Sequence, residues 1–202
     1  MTAPRAGAPA ALRVLRGIAL VACFRIEGIG YFGAATRDVL ASLAPLLAFP
    51  LVILVLQPFV GGTWDDVSSV LALLCAVLMQ LVVSEALARR WGREGAWGRY
   101  ATCFNWAQWA VPPVLLAIVF GHDVLVGLGM PEALAMPLAV LALFVYSFGL
   151  QWFIARHALH LPVLRAVLMV LAVNLATAAM VVIPTELQNW LQPVATQDDQ
   201  PG

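Results

Sequence analysis

The chain contains no lysine. All eleven basic residues are arginine, eleven Asp and Glu offset them, and formal net charge is zero. Without a positive excess, no nucleic-acid partner is expected. Charge of either sign is scarce, at 11% of 202 residues, against about 25% in soluble domains. The arginine-only usage, with abundant Ala, Gly and Pro, points to a GC-rich bacterial coding sequence. The three cysteines, Cys23, Cys75 and Cys103, sit in apolar surroundings at no metal-site spacing and read as small apolar filler. There is no nucleophile elbow, phosphate loop or pair of carboxylates. Gly121…Gly127-Leu128-Gly129 is a scatter of glycines and not a dinucleotide fingerprint. With no coupled acid and base, neither catalysis nor a cofactor is expected. His157 and His160 stand three apart without a third ligand nearby, short of the three or four a zinc site needs. His122-Asp123 is equally weak.

What the chain has is apolar length. The hydrophobic fraction is 62%. Five apolar runs cover about Val39–Val60, Val67–Leu87, Ala101–Phe120, Ala133–Ile154 and Ala166–Pro184. A helix of about 20 residues rises about 30 Å, the thickness of a bilayer's hydrocarbon core. The predicted fold is therefore all-α: a polytopic transmembrane helical bundle of five spans. Pro45, Pro50, Pro112-Pro113 and Pro137 interrupt these spans. Each removes a backbone hydrogen bond and predicts a local kink.

Ahead of the first run, Ala11–Phe32 is apolar but broken by Arg13, Arg16, Arg25 and Glu27. Arg13, Arg16 and Glu27 would share one face of a continuous helix, which suits a helix lying in the headgroup region. Leu20-Val21-Ala22-Cys23 matches a lipoprotein box, but the apolar stretch before it is short and Arg25 follows at once. Gly28, Gly30 and Gly33 are expected to loosen the chain, and Thr36 and Asp38 to cap the first span. Three parts result: 1–38, a cytoplasmic N-terminal segment with an interfacial amphipathic helix; 39–184, the five-helix bundle; and 185–202, an extracytoplasmic polar tail.

The arginines set the expected orientation. Arg5, Arg13, Arg16, Arg25 and Arg37 precede the first span; Arg89, Arg90, Arg93 and Arg99 separate the second from the third; Arg156 and Arg165 separate the fourth from the fifth. The alternate loops carry Asp65, Asp66, Asp123 and Glu132 and no arginine. The positive-inside rule puts the N-terminus in the cytoplasm and the C-terminus outside an inner membrane. Trp64, Trp91, Trp97, Trp152 and Trp190 fall near span ends, as interfacial anchors do, while Trp106 and Trp109 lie deeper.

Polar residues inside the spans recur at helical spacing: Gln80 and Ser84 with Glu85, Asn105 and Gln108, Ser147 and Gln151, Asn174 and Thr177. Their commonest use is hydrogen bonding between helices. The alternative is a polar cavity open to the cytoplasm. Glu85 is the one carboxylate inside a run, and Arg89 follows at i+4 in the favourable order for an ion pair.

Arg99-Tyr100-Ala101-Thr102-Cys103-Phe104-Asn105-Trp106, Tyr146 through Arg156, and Leu161-Pro162-Val163-Leu164-Arg165-Ala166 resemble segments of the bacterial relatives of Yip-domain (Rab/Ypt-interacting) membrane proteins. The resemblance spans roughly Arg37–Pro184. It lacks the Asp-Leu-x-Gly-Pro element of the eukaryotic branch, so it implies the five-helix fold and not Rab binding. The expected function is non-catalytic: a membrane-organising or partner-binding protein whose cytoplasmic arginines meet anionic lipid headgroups. The alternative is a small transporter or channel component using the intramembrane polar residues.

Overall fold

The computed structural model describes residues 9–59 and 64–191; side chains at 58, 60–66 and beyond 182 lie outside the description. Arg5, Asp65, Asp66, Asp198, Asp199 and the side chains of Trp64, Trp190 and Glu186 fall there. Among the described residues the fold is all-α, with no strand. Its helices are α1 (Ala10–Ala22), α2 (Thr36–Leu56), α3 (Trp64–Arg90), α4 (Glu94–Ala107), α5 (Val111–Gly127), α6 (Glu132–Ala158) and α7 (Val163–Leu191). Five stretches are long and apolar enough to cross a membrane: Thr36–Leu56, Val67–Arg90, Glu94–Gly127, Glu132–Ala158 and Val163–Val182. They match the five apolar runs in number and order.

The boundaries move for identifiable reasons. Four helices end in a Schellman-type turn, in which an amide beyond the helix returns to the carbonyl five residues back. After α3, Arg93 N–H donates to Ala88 at 2.8 Å; after α5, Met130 donates to Leu125 at 3.0 Å. The left-handed residues there are Gly92 and Gly129, which adopt that conformation without steric cost. After α6, Leu161 donates to Arg156 at 3.0 Å, with His160 left-handed.

The fourth case corrects the expected N-terminal helix. It does not run from Ala11 to Phe32 but stops at Ala22, with Phe24 left-handed at φ 56°. Arg25 N–H returns to Leu20 and Phe24 N–H to Val21, each at 2.9 Å. A non-glycine residue there costs about 1–2 kcal/mol. Tertiary packing offsets it: the Phe24 ring meets Tyr146 and Phe153 edge-on at 5.8 and 5.6 Å, and the Tyr146 hydroxyl donates to the Ala22 carbonyl at 3.1 Å. Glu27 therefore does not share a face with Arg13 and Arg16. It pairs with Arg25 at 3.4 Å on the surface.

A 3-10 turn over Ile26–Tyr31 packs back on α1. Gly28 does not loosen this turn but tightens it. It is buried, and a Cβ there would lie 2.8 Å from the backbone nitrogen of Val21. Of the two expected caps, Asp38 acts: its carboxylate accepts the Ala35 N–H at 3.2 Å, the third-residue half of a capping box. Thr36 is already the first helical residue.

The prolines divide into two groups. α2 runs through Pro45 and Pro50, and α6 through Pro137. At Pro112-Pro113 the third span breaks into α4, a 3-10 turn (Gln108–Ala110) and α5. Proline 112 has no N–H for the Gln108 carbonyl, so that carbonyl accepts the Val111 N–H three residues on. α7 continues past Pro184 to Leu191, so the segment expected as a polar tail begins as helix.

The chain divides into two compact units. The first comprises Met1–Leu43 and Ala88–Val170; in it α1 packs on α4 and α6, and α6 packs on α4 and α5. Its interior includes many small residues, among them Ala101, Cys103, Ala107, Ala155 and Ala158, beside Phe104, Phe153 and Ile154. Small residues let helix backbones approach closely where lipid supplies no hydrophobic drive for association. The second unit comprises Ala44–Leu87 and Leu171–Gly202. Its buried described residues are Pro50, Val70, Ala76, Ser84 and Val173.

Candidate functional site

Four of the eight intramembrane polar candidates fall in each unit. In the second unit, Ser84 is buried and its hydroxyl donates to the Leu81 carbonyl at 3.0 Å. Gln80, Glu85 and Asn174 are half-buried. One turn beyond Asn174, the Thr177 hydroxyl donates to Val173 at 2.8 Å. Hydroxyls returned to the preceding turn are satisfied within their own helix and bridge nothing by that bond.

In the first unit, Asn105 and Gln108 part company. Asn105 is 3% exposed and donates its amide to the Ser42 hydroxyl at 3.0 Å. Ser42, fully buried on α2, in turn donates to the Val39 carbonyl at 2.7 Å. This chain of two bonds ties the third span to the first. Gln108 instead joins Ser147 and Gln151 on the wall of a cavity of about 200 Å³ between the third and fourth spans. The 3-10 turn that begins at Gln108 separates the two directions. The cavity's other walls are apolar, including Phe104, Val111 and Ile154. It has room for about six waters at about 30 Å³ each.

Ser42 is the partner that sequence reasoning missed. A lone serine in an apolar run carries no mark of which helix it will face. The only available signal was the need of a buried Asn amide for an acceptor.

A larger feature lies where no polar motif pointed. A groove of about 960 Å³ separates α1 from the start of α2 and from α4 with the turn that follows it. Thr102, Trp106 and Trp109 form one wall, at i, i+4 and i+7 of the third span. Val14, Leu15 and Ile18 of α1 form the other, and Arg13, Arg37 and Asp38 supply the charged part. Its volume is at the upper end of the roughly 300–1,000 Å³ of small-molecule sites. The Thr102 hydroxyl is committed to the Gly98 carbonyl at 2.9 Å. Asp38 is engaged with Ala35, and Arg37 Nε lies 3.8 Å from its other oxygen. No family model, characterised protein or solved structure matches the chain.

The exposed face of α1 combines Leu12 and Leu15, 56% and 60% exposed, with Arg13 and Arg16 beside them. Arg16 also lies over the Tyr31 ring at 5.8 Å, and Arg156 over Trp152 at 5.6 Å. Each is an arginine held by an aromatic neighbour. His157 rests against the Phe153 ring at 4.8 Å.

Proposed function

We propose that this chain is a non-catalytic integral protein of a bacterial inner membrane that binds anionic lipid headgroups on the cytoplasmic side. It would thereby organise the membrane or dock a partner there. The observation that carries this reading is α1: a helix packed on the first unit by Gly17 and Val21, whose outer face sets exposed leucines beside exposed arginines. That composition suits the headgroup boundary. Arg93, Arg99 and Arg165 are exposed as well, and each such charge near an anionic surface contributes about 1 kcal/mol. The one-sided arginines support a cytoplasmic N-terminus and an extracytoplasmic C-terminus. The five candidate spans agree in number with the Yip-domain-like fold that the sequence resembles.

The alternative, a small transporter component, draws on the cavity lined by Gln108, Ser147 and Gln151. It is the weaker reading, because the cavity is small, about 200 Å³, and Asn105 is spent on Ser42.

Purification from native membranes with mass spectrometry of co-purifying lipids and proteins tests the proposal. Anionic lipid should be enriched over its bulk share. Neutralising Arg13, Arg16 and Arg37 together should remove the enrichment. Reporter fusions after Arg93 and Arg156 should report cytoplasm, and a cytoplasmic C-terminus would refute the five-span topology.

A further inference from the structure

The groove beneath α1 has more chemistry than surface attraction needs. One wall is tryptophan and the other branched aliphatic side chains. The tryptophan wall runs down the third span from Thr102 to Trp109, about 10 Å at 1.5 Å per residue, or about a third of the hydrocarbon core. Trp109 at 42% and Leu15 at 60% exposure leave it open on the outer side. The charged lining is unequal: two guanidiniums against one carboxylate, and that carboxylate already accepts the Ala35 N–H. One positive charge is left over, which matches a phosphodiester and falls short of a doubly charged phosphomonoester. Arg37 is 89% exposed, and neither arginine is needed to hold the helices together.

We propose that this groove binds one acidic diacyl phospholipid per chain, of the phosphatidylglycerol type. Its phosphate lies at Arg13 and Arg37, and the upper part of one acyl chain lies between Val14, Ile18, Trp106 and Trp109. The inference rests on the lipid-binding reading above and adds a stoichiometry and a place. The fixed side chains of an apolar slot select a chain-bearing ligand, and the excess guanidinium selects its charge. The remainder of the lipid stays in the bilayer, so it need not be extracted to bind.

The test uses the full chain, delipidated in mild detergent and titrated with phosphatidylglycerol or phosphatidylcholine under native mass spectrometry. Wild type should retain one phosphatidylglycerol and discriminate against the choline lipid. Arg13→Gln with Arg37→Gln should weaken that first binding about thirtyfold, as two near-surface charges imply, with helicity unchanged. Arg13→Lys with Arg37→Lys should restore most of it. Ile18→Trp, which fills the slot and leaves both charges, should abolish it. Bromine on an acyl chain should quench wild-type fluorescence more than that of Trp106→Phe with Trp109→Phe.

Arg16→Gln with Arg25→Gln serves as the control, because neither residue lines the groove. If it weakens binding as much as the groove pair does, the discrete site is refuted while lipid binding by surface charge survives. If wild type shows no preference between the two lipids, the lipid-binding reading falls with it. A wild-type dimer that Ile18→Trp dissociates, with no lipid retained, would assign the groove to a second copy of the chain and overturn the proposal. Should Ile18→Trp fail to fold, the arginine and bromine measurements decide the matter alone.

Discussion

α4 and α5 are two halves of one candidate span, and their surroundings are opposite. Of the fourteen residues of α4, seven are buried, including Thr102 and Asn105. Of the seventeen residues of α5, none is. Yet α5 is the more apolar half: Val114, Leu115, Leu116, Ile118 and Val119 have no counterpart in α4. In water the apolar half would be the buried one. Where lipid is the solvent, apolar side chains gain little by leaving it. Burial goes instead to small residues that allow close approach and to polar groups that need partners. The contrast is sharp because the break at Pro112-Pro113 lets each half follow its own demands.

The largest test of that contrast is steric. A side chain at Gly98 on α4 would overlap the backbone carbonyl of Ala34, which cannot swing aside as a side-chain end can. Gly98→Val should cost about 3 kcal/mol, the upper end of overpacking penalties, read as a lowered midpoint in a detergent unfolding assay. Tolerance of valine there would dissolve the claim that α4 is the packed half.

Next comes the polar tie. Asn105→Leu removes the donor to Ser42 and should destabilise by about 1–2 kcal/mol. Ser42→Ala should cost at least as much, because it leaves the buried Asn105 amide without its acceptor. The double variant should be strongly non-additive. Additive effects would mean that the two residues do not act on one another.

A smaller effect is expected at the hinge between the halves. Gln108→Leu and Gln151→Leu keep roughly similar volume on the wall of one cavity, and each should change stability by about 0.6 kcal/mol, the average for polar interactions between membrane helices. Near-zero change in stability with loss of a cellular phenotype would favour the transporter reading. The smallest effect belongs to α5. Leu116 is 71% exposed, and Leu116→Ala should stay within about 0.5 kcal/mol. A cost of several kcal/mol would show that another chain covers this face.

Much of the molecule was readable from its letters. The five runs, their order and their approximate limits follow from bilayer thickness alone. Gly92 and Gly129 mark the ends of α3 and α5, because glycine alone takes the left-handed turn freely. Phe24 and His160 do the same duty without that mark. The α1 boundary was missed because it is held by Tyr146 and Phe153, more than a hundred residues away in sequence. The Asn105–Ser42 bond was missed for a related reason: spacing tells which residues share a helical face, and not which helix that face meets. Spacing also failed for Asn105 and Gln108, where the proline pair converts the helix to a 3-10 turn and turns the two side chains apart.

By itself, then, the sequence determined what local chemistry controls: helices of bilayer length, the helix ends at glycine, and the side on which arginines gather. The tertiary structure alone decided which polar groups are spent on one another, where α1 stops, and that a charged, tryptophan-walled groove lies beneath it. The division has a physical cause. Hydropathy and backbone preference act within a few residues of each position. Partner choice between helices in lipid rests on close packing and single hydrogen bonds, which exist only after the helices have met.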